Sequence, residues 1–173
     1  MSLLKLPGYN LISKGRQCSA HGGVCIYLNQ NYEYSTIDID IVSDFWDGQF
    51  IEIFVKDVNG INKKIVIGNL YRPPNPTHEN VHTFMNDMNM IFDKLKNFKH
   101  VVLTGDFNIN LLNFRTNSSI NNFIDNLISN GYLPKITIPT RLTQCKGTLI
   151  DNFFVKFSDN QSNTTARVLR TNI

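Results

Sequence analysis

Long apolar runs, clusters of basic residues and cysteine are all scarce in this chain of 173 residues. No stretch approaches the length of a membrane-spanning helix, and the start of the chain is too short for a secretory signal peptide. The three cysteines, an odd number, do not suit a disulfide framework. We therefore expect an intracellular protein, in the nucleus or cytoplasm, that is not secreted and has no membrane partner.

Charge is also limited: 18% of the residues are charged, the formal net charge is +3, and no run of Lys or Arg occurs. This balance permits nucleic acid as a partner without arguing for it. Hydrophobic residues make up 42% of the chain, which is enough for one domain with a sizeable core. Since no repeat or linker divides the chain, we predict a single domain over residues 1–173.

Several common enzyme motifs are missing. No Gly-x-Ser-x-Gly sequence occurs, and the glycine pair early in the chain has neither the dinucleotide-binding nor the Walker spacing. Cys18, His21 and Cys25 match no common zinc spacing. His78 and His82 lie four residues apart, as helical metal ligands do, but no third ligand accompanies them. These absences argue against a serine hydrolase and against a zinc site.

The patterns of apolar residues predict an α/β domain in which helices cover sheets. A long helix after a Thr77 cap has an apolar stripe at i, i+3, i+4 and i+7 that extends to Phe98. A second helix is predicted from a Ser118/Ser119 cap to Gly131. Runs of apolar, β-branched and aromatic residues, with a hairpin at 57–60, predict strands at 9–13, 22–28 (buried on both faces or at the centre of a sheet), 32–42, 50–55, 64–71, 100–104, 148–155 and 166–170.

The segment Thr104–Asn108 follows an apolar strand and combines a carboxylate with a carboxamide. On an extended chain, residues i and i+2 point to the same side, so Asp106 and Asn108 would project together while Phe107 packs the other way. One group can take a proton and the other can donate hydrogen bonds to an anion, a combination that suits phosphoester chemistry. An Asx-rich turn that closes a buried strand explains the same residues equally well.

Tyr71 and Asp151 also end or interrupt apolar strands. If Asp151 is buried, it should have a charged or hydrogen-bonding partner, since an isolated buried carboxylate is costly. The alternative is an Asp at a strand edge that faces solvent.

Four blocks of sequence, taken in order, resemble the endonuclease/exonuclease/phosphatase superfamily, and most closely the apurinic-type endonuclease domain of non-LTR (LINE-like) retrotransposons. The blocks are Gly22–Leu28, Asn69–Asn75, Thr104–Leu112, and Pro139–Arg141 followed by Gly147–Asn152. The resemblance implies a four-layer α/β sandwich, like that of deoxyribonuclease and the apurinic endonucleases, with two packed β-sheets flanked by helices. It also implies cleavage of DNA that depends on Mg²⁺ or Mn²⁺, as part of a reverse transcriptase polyprotein.

By position, the resemblance assigns four catalytic roles. Asp106 orients or deprotonates the attacking water, and Asn108 hydrogen-bonds the scissile phosphate. Tyr71 places its hydroxyl at the same phosphate, and Asp151 orients the catalytic histidine. The expected contacts to DNA are Asn75, Arg141 and Thr148.

The family's metal-binding Glu and its catalytic His have no counterpart in this sequence. The Glu would precede Pro7, and the His would follow the last strand, so we expect a domain that is incomplete at both ends. This leaves three interpretations open. The chain is an inactive fragment of a DNA endonuclease, a non-catalytic remnant or domesticated module that binds nucleic acid or protein, or a phosphatase of the same superfamily.

Overall fold

The computed structural model describes residues 5–14, 23–41, 43, 45–57, 59–74, 78–144, 146–157 and 166–169. The two helices are α1 (His78–Leu95) and α2 (Ser118–Ser129), and a short 3-10 helix covers Leu111–Asn113. The strands are β1 (Tyr9–Lys14), β2 (Val24–Asn29), β3 (Tyr34–Ile37), β4 (Asp47–Lys56), β5 (Asn62–Tyr71), β6 (His100–Asp106), β7 (Leu133–Pro134), β8 (Arg141–Leu142), β9 (Gly147–Thr148) and β10 (Asp151–Phe157). Neither described helix combines the length and the apolar composition that crossing a membrane requires.

The centre of the structure is a six-stranded sheet in the order β3-β4-β5-β6-β10-β7. β5 and β6 are parallel and are joined through α1, whereas the other neighbouring pairs are antiparallel. The Asp57–Gly60 turn closes the β4–β5 hairpin as predicted, with Gly60 N donating to Asp57 O at 2.9 Å. The carboxyl ends of β5 and β6 therefore meet the start of β10 at one edge of the sheet.

The helices cover one face of this sheet and form the main core with it. The apolar stripe of α1 is buried at Phe84, Met88, Ile91, Phe92 and Leu95, which confirms the predicted packing. Alternate residues of the central strands, among them Val66, Leu70, Val101, Leu103 and Phe154, supply the other side of the same cluster. Burying a side chain of this kind contributes about 1.5–3 kcal/mol, so this layer holds α1 firmly against the sheet.

A second, two-stranded sheet of β1 and β2 packs on the opposite face. Ile12 and Leu28 from this sheet contact Ile51 and Ile53 of β4 in a separate core cluster. The described residues thus build a layer of helices, a central sheet and a second sheet, so the predicted packing of two sheets is present and the described helices lie outside the central one. β2 is not buried on both faces, because Cys25 on its outer side is exposed.

Several predicted boundaries of strands and helices were wrong. The strand predicted at 32–42 is limited to β3, and the one at 148–155 is divided between β9 and β10. Residues 166–169 are not a strand. α1 ends at Leu95, before Phe98, and the cap of α2 is Asn117, whose Oδ1 accepts from Ser119 N at 3.0 Å and from Ile120 N at 3.3 Å. The predicted Thr77 cap lies outside the described residues.

Gly105 is required by the close approach of β5 and β6. Its φ is +140°, and a Cβ added there would lie 1.8 Å from the Leu70 carbonyl oxygen. We expect Gly105→Ala to reduce the free energy of unfolding by more than about 4 kcal/mol, since backbone must move to admit the methyl group. The measurement is urea unfolding followed by circular dichroism.

Gly60→Ala is the matched control, because Gly60 also has a positive φ (+76°) but has no atom within 4 Å of the added Cβ. It should cost only about 1–2 kcal/mol, the ordinary penalty of a left-handed residue. Equal losses in the two variants would show that the contact with Leu70 is unimportant.

Candidate active site

Four polar side chains stand in one register row across four neighbouring strands. Asp47 pairs with Tyr71, Tyr71 pairs with Asp106, and Asp106 pairs with Asp151. Directly paired residues carry their side chains on the same face of a sheet, with Cβ atoms about 4.5–5.5 Å apart. The structure therefore brings together three of the predicted residues, and adds Asp47, which sequence reasoning missed.

The row lies on the face of the central sheet that carries the second sheet. Val101 and Leu103 point into the helix-side core, so Asp106 falls on the other face by alternation. Asp47 and Asn69 link this face to β2, since Asp47 Oδ2 accepts from Gly23 N at 3.1 Å and Asn69 Nδ2 donates to Cys25 O at 3.0 Å. All four residues of the row are half-buried, at the rim between the two sheets.

A tight turn, not an extended strand, places Asn108 beside Asp106. β6 ends at Asp106, and Asn108 has a left-handed backbone with φ of +47°. Asn108 N donates to Asp106 Oδ1 at 3.0 Å, and Phe107 between them is buried in the core. The predicted proximity and the burial of Phe107 are thus confirmed, but the extended geometry from which they were inferred is wrong. The Asx turn and the close pair of a carboxylate and a carboxamide, which the sequence offered as alternatives, are therefore both present.

The polypeptide after β6 is fastened to the chain that leads into β10. Phe107 N donates to Ile150 O at 2.9 Å, and Leu111 N donates to Leu149 O at 3.0 Å. Asn110 Oδ1 accepts from Leu149 N at 2.9 Å and thereby joins the same two segments. These bonds hold Asp106 and Asp151 on adjoining, mutually braced segments.

Thr140 braces the start of β10 from the other side. Its Oγ1 accepts hydrogen bonds from Ile150 N and Asp151 N, each at 3.3 Å. Thr140 and Asn110 both lie inside the blocks that carry the family resemblance, and this was the only signal for them. Their side chains act on backbone of distant segments, which spacing in the sequence does not indicate.

The electrostatic setting of Asp106 is that of a partly desolvated carboxylate. Burial raises its pKa above the ordinary value, and the neighbouring Asp151 adds to that rise. Hydrogen bonds from the backbone and side chain of Asn108, together with the charge of Arg141, act in the opposite direction and lower the pKa. A carboxylate whose pKa lies closer to neutrality is a better proton acceptor at physiological pH.

Two of the three residues that are predicted to contact DNA lie in the described part of the chain. Arg141 on β8 is exposed and pairs with Thr148 on β9, which is half-buried. Because the charge of Arg141 acts on Asp106, this small hairpin stands next to the row. Asn75 lies outside the described residues.

The donor set for a divalent metal is incomplete in the described part of the chain, where no three His, Cys, Asp or Glu side chains are grouped to hold an ion. Asp106 and Asp151 are oxygen ligands of the kind Mg²⁺ prefers, but they are two, and they do not by themselves fit a dedicated site. Of the histidines, His82 is on α1 next to Asn86, and His100 is at the far end of β6, about 20 Å from Asp106 by strand rise.

Comparison with solved structures finds the same fold in proteins that act on phosphoesters. The endonuclease domain of TRAS1, a telomere-specific non-LTR retrotransposon, is 11% identical with a TM-score of 0.60, over 87% of this chain and 68% of that one. The 3' phosphatase NExo from Neisseria, bound to a product DNA hairpin, is 14% identical with a TM-score of 0.53, over 86% of this chain and 67% of that one.

An endonuclease/exonuclease/phosphatase family protein from Leptotrichia buccalis is 14% identical with a TM-score of 0.52, over 85% of this chain and 60% of that one. No family model matches the sequence, and no curated protein matches it either. The chain has the fold of the endonuclease/exonuclease/phosphatase proteins, as predicted, and it spans between 60% and 68% of the length of these three structures.

The raised pKa of Asp106 leads to a prediction about stability. Between the ordinary pKa and the raised one, the folded chain holds the proton more than the unfolded chain, so the contribution of Asp106 to stability falls as pH rises. Asp106→Asn removes this ionisation while its side-chain oxygen can still accept from Asn108 N. We expect the variant to gain stability relative to the parent at pH 7, and the gain to shrink at pH below about 3.8.

Asp57→Asn is the control with the opposite sign. A hydrogen bond from the backbone of Ile61, followed by that of Asn59 and the charge of Lys63, lowers the pKa of Asp57. This variant should lose stability at pH 7, and the loss should disappear at low pH. Urea unfolding at both pH values measures the two differences, and a pH-independent effect of Asp106→Asn would contradict the assignment.

Proposed function

We propose that this chain carries the phosphodiester-hydrolysing part of a DNA endonuclease. The observation that supports it best is the register row, in which Tyr71, Asp106 and Asp151 end or begin three adjacent strands with Asn108 beside them. The fold shared with nucleases and phosphatases makes hydrolysis of a phosphoester the natural class of reaction. Cleavage of a phosphodiester bond in DNA is the more specific part of the proposal.

Asp106 is the proposed general base. It takes a proton from a water molecule as the water oxygen attacks phosphorus, the bond from phosphorus to the 3' oxygen breaks, and the leaving oxygen is protonated by solvent. Its raised pKa favours proton transfer at neutral pH, and general bases contribute about 10²–10⁴-fold to rate.

Asn108 and Tyr71 are the proposed ligands of the phosphate. The amide group of Asn108 stands next to Asp106, with Nδ2 also donating to Arg72 O at 2.7 Å, so its position is fixed before substrate binds. The Tyr71 hydroxyl is the second donor from the same row. Fixed donors that face developing charge stabilise a transition state, and loss of one costs about 10²–10³-fold in rate.

The role of Asp151 and the use of a divalent metal are implied by the family resemblance. Asp151 neighbours Asp106. Its role in orienting a catalytic histidine is implied by the resemblance and stays a prediction, because that histidine has no counterpart in this sequence. Dependence on Mg²⁺ or Mn²⁺ also stays a prediction.

We propose duplex DNA as the substrate and target-site nicking for a retrotransposon as the biological role. The fold of the TRAS1 endonuclease domain supports this assignment, as does the exposed Arg141 of the β8–β9 hairpin near the row. Phosphate contacts position a duplex, so a low net charge is compatible with DNA binding if the charge lies at the site.

Two other functions remain as candidates. The fold of NExo, a 3' phosphatase, favours removal of a phosphate from a DNA end by the same residues. The other candidate is a module that binds nucleic acid without cleaving it, for which the exposed Arg141 near the row would supply a phosphate contact.

A nicking assay distinguishes these functions. The assay measures relaxation of supercoiled plasmid in Mg²⁺ or Mn²⁺ and in EDTA, and relaxation in the metal alone is the result that the endonuclease proposal requires. Asp106→Asn should lower the rate by about 10²–10⁴-fold, because the proton acceptor is lost. Tyr71→Phe and Asn108→Ala should each lower it by about 10²–10³-fold, because a phosphate donor is lost.

The control is Asp93→Asn, an exposed carboxylate on α1, which should leave the rate unchanged. Release of phosphate from a 3'-phosphorylated oligonucleotide without nicking would favour the phosphatase. If the parent chain neither nicks nor releases phosphate under any metal condition, catalysis by this chain is ruled out.

Binding of DNA can be measured apart from cleavage. In the Asp106→Asn background, Arg141→Met should weaken binding of a duplex and reduce the slope of log K against log salt by about 1, because one phosphate contact is lost. Fluorescence anisotropy at several salt concentrations gives the slope. Arg167→Met, at an exposed arginine elsewhere, is the control and should leave it unchanged. Equal slopes in the two variants would show that Arg141 makes no contact with DNA phosphate.

A further inference from the structure

Arg72 directly follows Tyr71 but lies in the interior. The residue is 2% exposed, and its guanidinium carbon is 5.7 Å from the centre of the Phe84 ring on α1. Tyr71 belongs to the register row on the second-sheet face, so the two neighbours serve opposite faces of the sheet. Burial lowers the pKa of the Arg72 guanidinium, but an arginine stays charged in a protein at neutral pH. A buried cation at this place needs strong acceptors.

Two of its acceptors among the described residues are carbonyl groups of the turn that carries Asn108. Arg72 Nη1 donates to Phe107 O at 3.4 Å and to Asn108 O at 3.3 Å. Each contact is long, as expected where donors are shared between two acceptors. The connection is reciprocal, because Asn108 Nδ2 donates to Arg72 O at 2.7 Å and Arg72 N donates to Asp106 O at 2.9 Å.

These bonds act on a part of the backbone that an ordinary residue adopts reluctantly. Asn108 has φ of +47°, a left-handed conformation that costs energy and persists when its surroundings determine it. The Phe107 and Asn108 carbonyls must point toward Arg72 in this conformation. The same turn carries the bond from Asn108 N to Asp106 Oδ1, at 3.0 Å.

We propose that Arg72 is a positioning residue that holds the Phe107–Asn108 turn in its left-handed form and thereby keeps Asn108 next to Asp106. The consequence for catalysis rests on the proposed function, whereas the consequence for the turn does not. Arg72 does not touch substrate in this proposal. Its influence on the reaction passes through Asn108.

A double-mutant cycle on nicking tests the catalytic consequence. Arg72→Met should lower kcat by about 10–100-fold with little change in KM, because misplacement of a catalytic group costs rate in this range. In the Asn108→Ala background the same change should cost less than about threefold, because the group that Arg72 positions is already gone. Equal losses in both backgrounds would overturn the proposal.

Amide hydrogen exchange tests the turn without any requirement for activity. Arg72→Met should accelerate exchange at the Asn108 amide at least about tenfold more than at Leu103 in the β6 ladder, since the hydrogen bonds from Nη1 go to the turn and not to the ladder. Equal acceleration at both amides would mean that Arg72 acts on overall stability, and the proposal would fail. The nicking and exchange experiments test different proposals. A chain that does not nick DNA fails the proposed function, but it can still show that Arg72 holds the turn.

Two further variants guard against misfolding. Arg72→Lys keeps the charge but loses the planar fork, and it should give intermediate effects in both measurements. Arg167→Met removes an exposed arginine and should change neither. If Arg72→Met does not fold, Arg72→Lys carries the test, and exchange at Asn108 that matches the parent would contradict the proposal.

Discussion

The close contact between β5 and β6 at Gly105 is the constraint on which the candidate site depends. The Leu70 carbonyl occupies the space of a side chain at Gly105, so the two strands can meet only with glycine there. This contact accompanies the parallel register in which Tyr71 stands opposite Asp106. A shift of one residue would turn the polar row to the other face and bury it among the helices. The register places the site, and the packing of α1 holds the register.

Several features of the candidate site lower the stability of the folded chain. Asp106 is partly desolvated and faces Asp151, and both effects make its ionised form less favourable. Asn108 is held in a left-handed conformation, and Arg72 places a charge in the interior. Each of these features is costly for folding alone, and all of them lie within the same few residues. Such a concentration is expected of an active site and is unusual in a structural turn.

The sequence predicted the fold and the core of the site better than it predicted the surroundings of the site. Tyr71, Asp106 and Asp151 could be found because each ends or begins an apolar strand, a signal that is local. Asp47, Arg72 and Thr140 could not, because each acts through register or hydrogen bonds with a segment far away in sequence. Two-residue strands such as β8 and β9 have too few side chains to show a period.

Alternation along a strand explains why the residues of the Tyr71–Arg72 pair have different tasks. Successive side chains at the end of β5 point to opposite faces, so one position reaches the rim between the sheets and the next reaches the layer below α1. A polar residue at the first can meet a substrate, and one at the second can meet only the protein. In this chain the second is an arginine that binds carbonyls of the turn after β6. Adjacent polar residues in a motif therefore need not share a function, and the pleat decides which of them reaches the rim between the sheets.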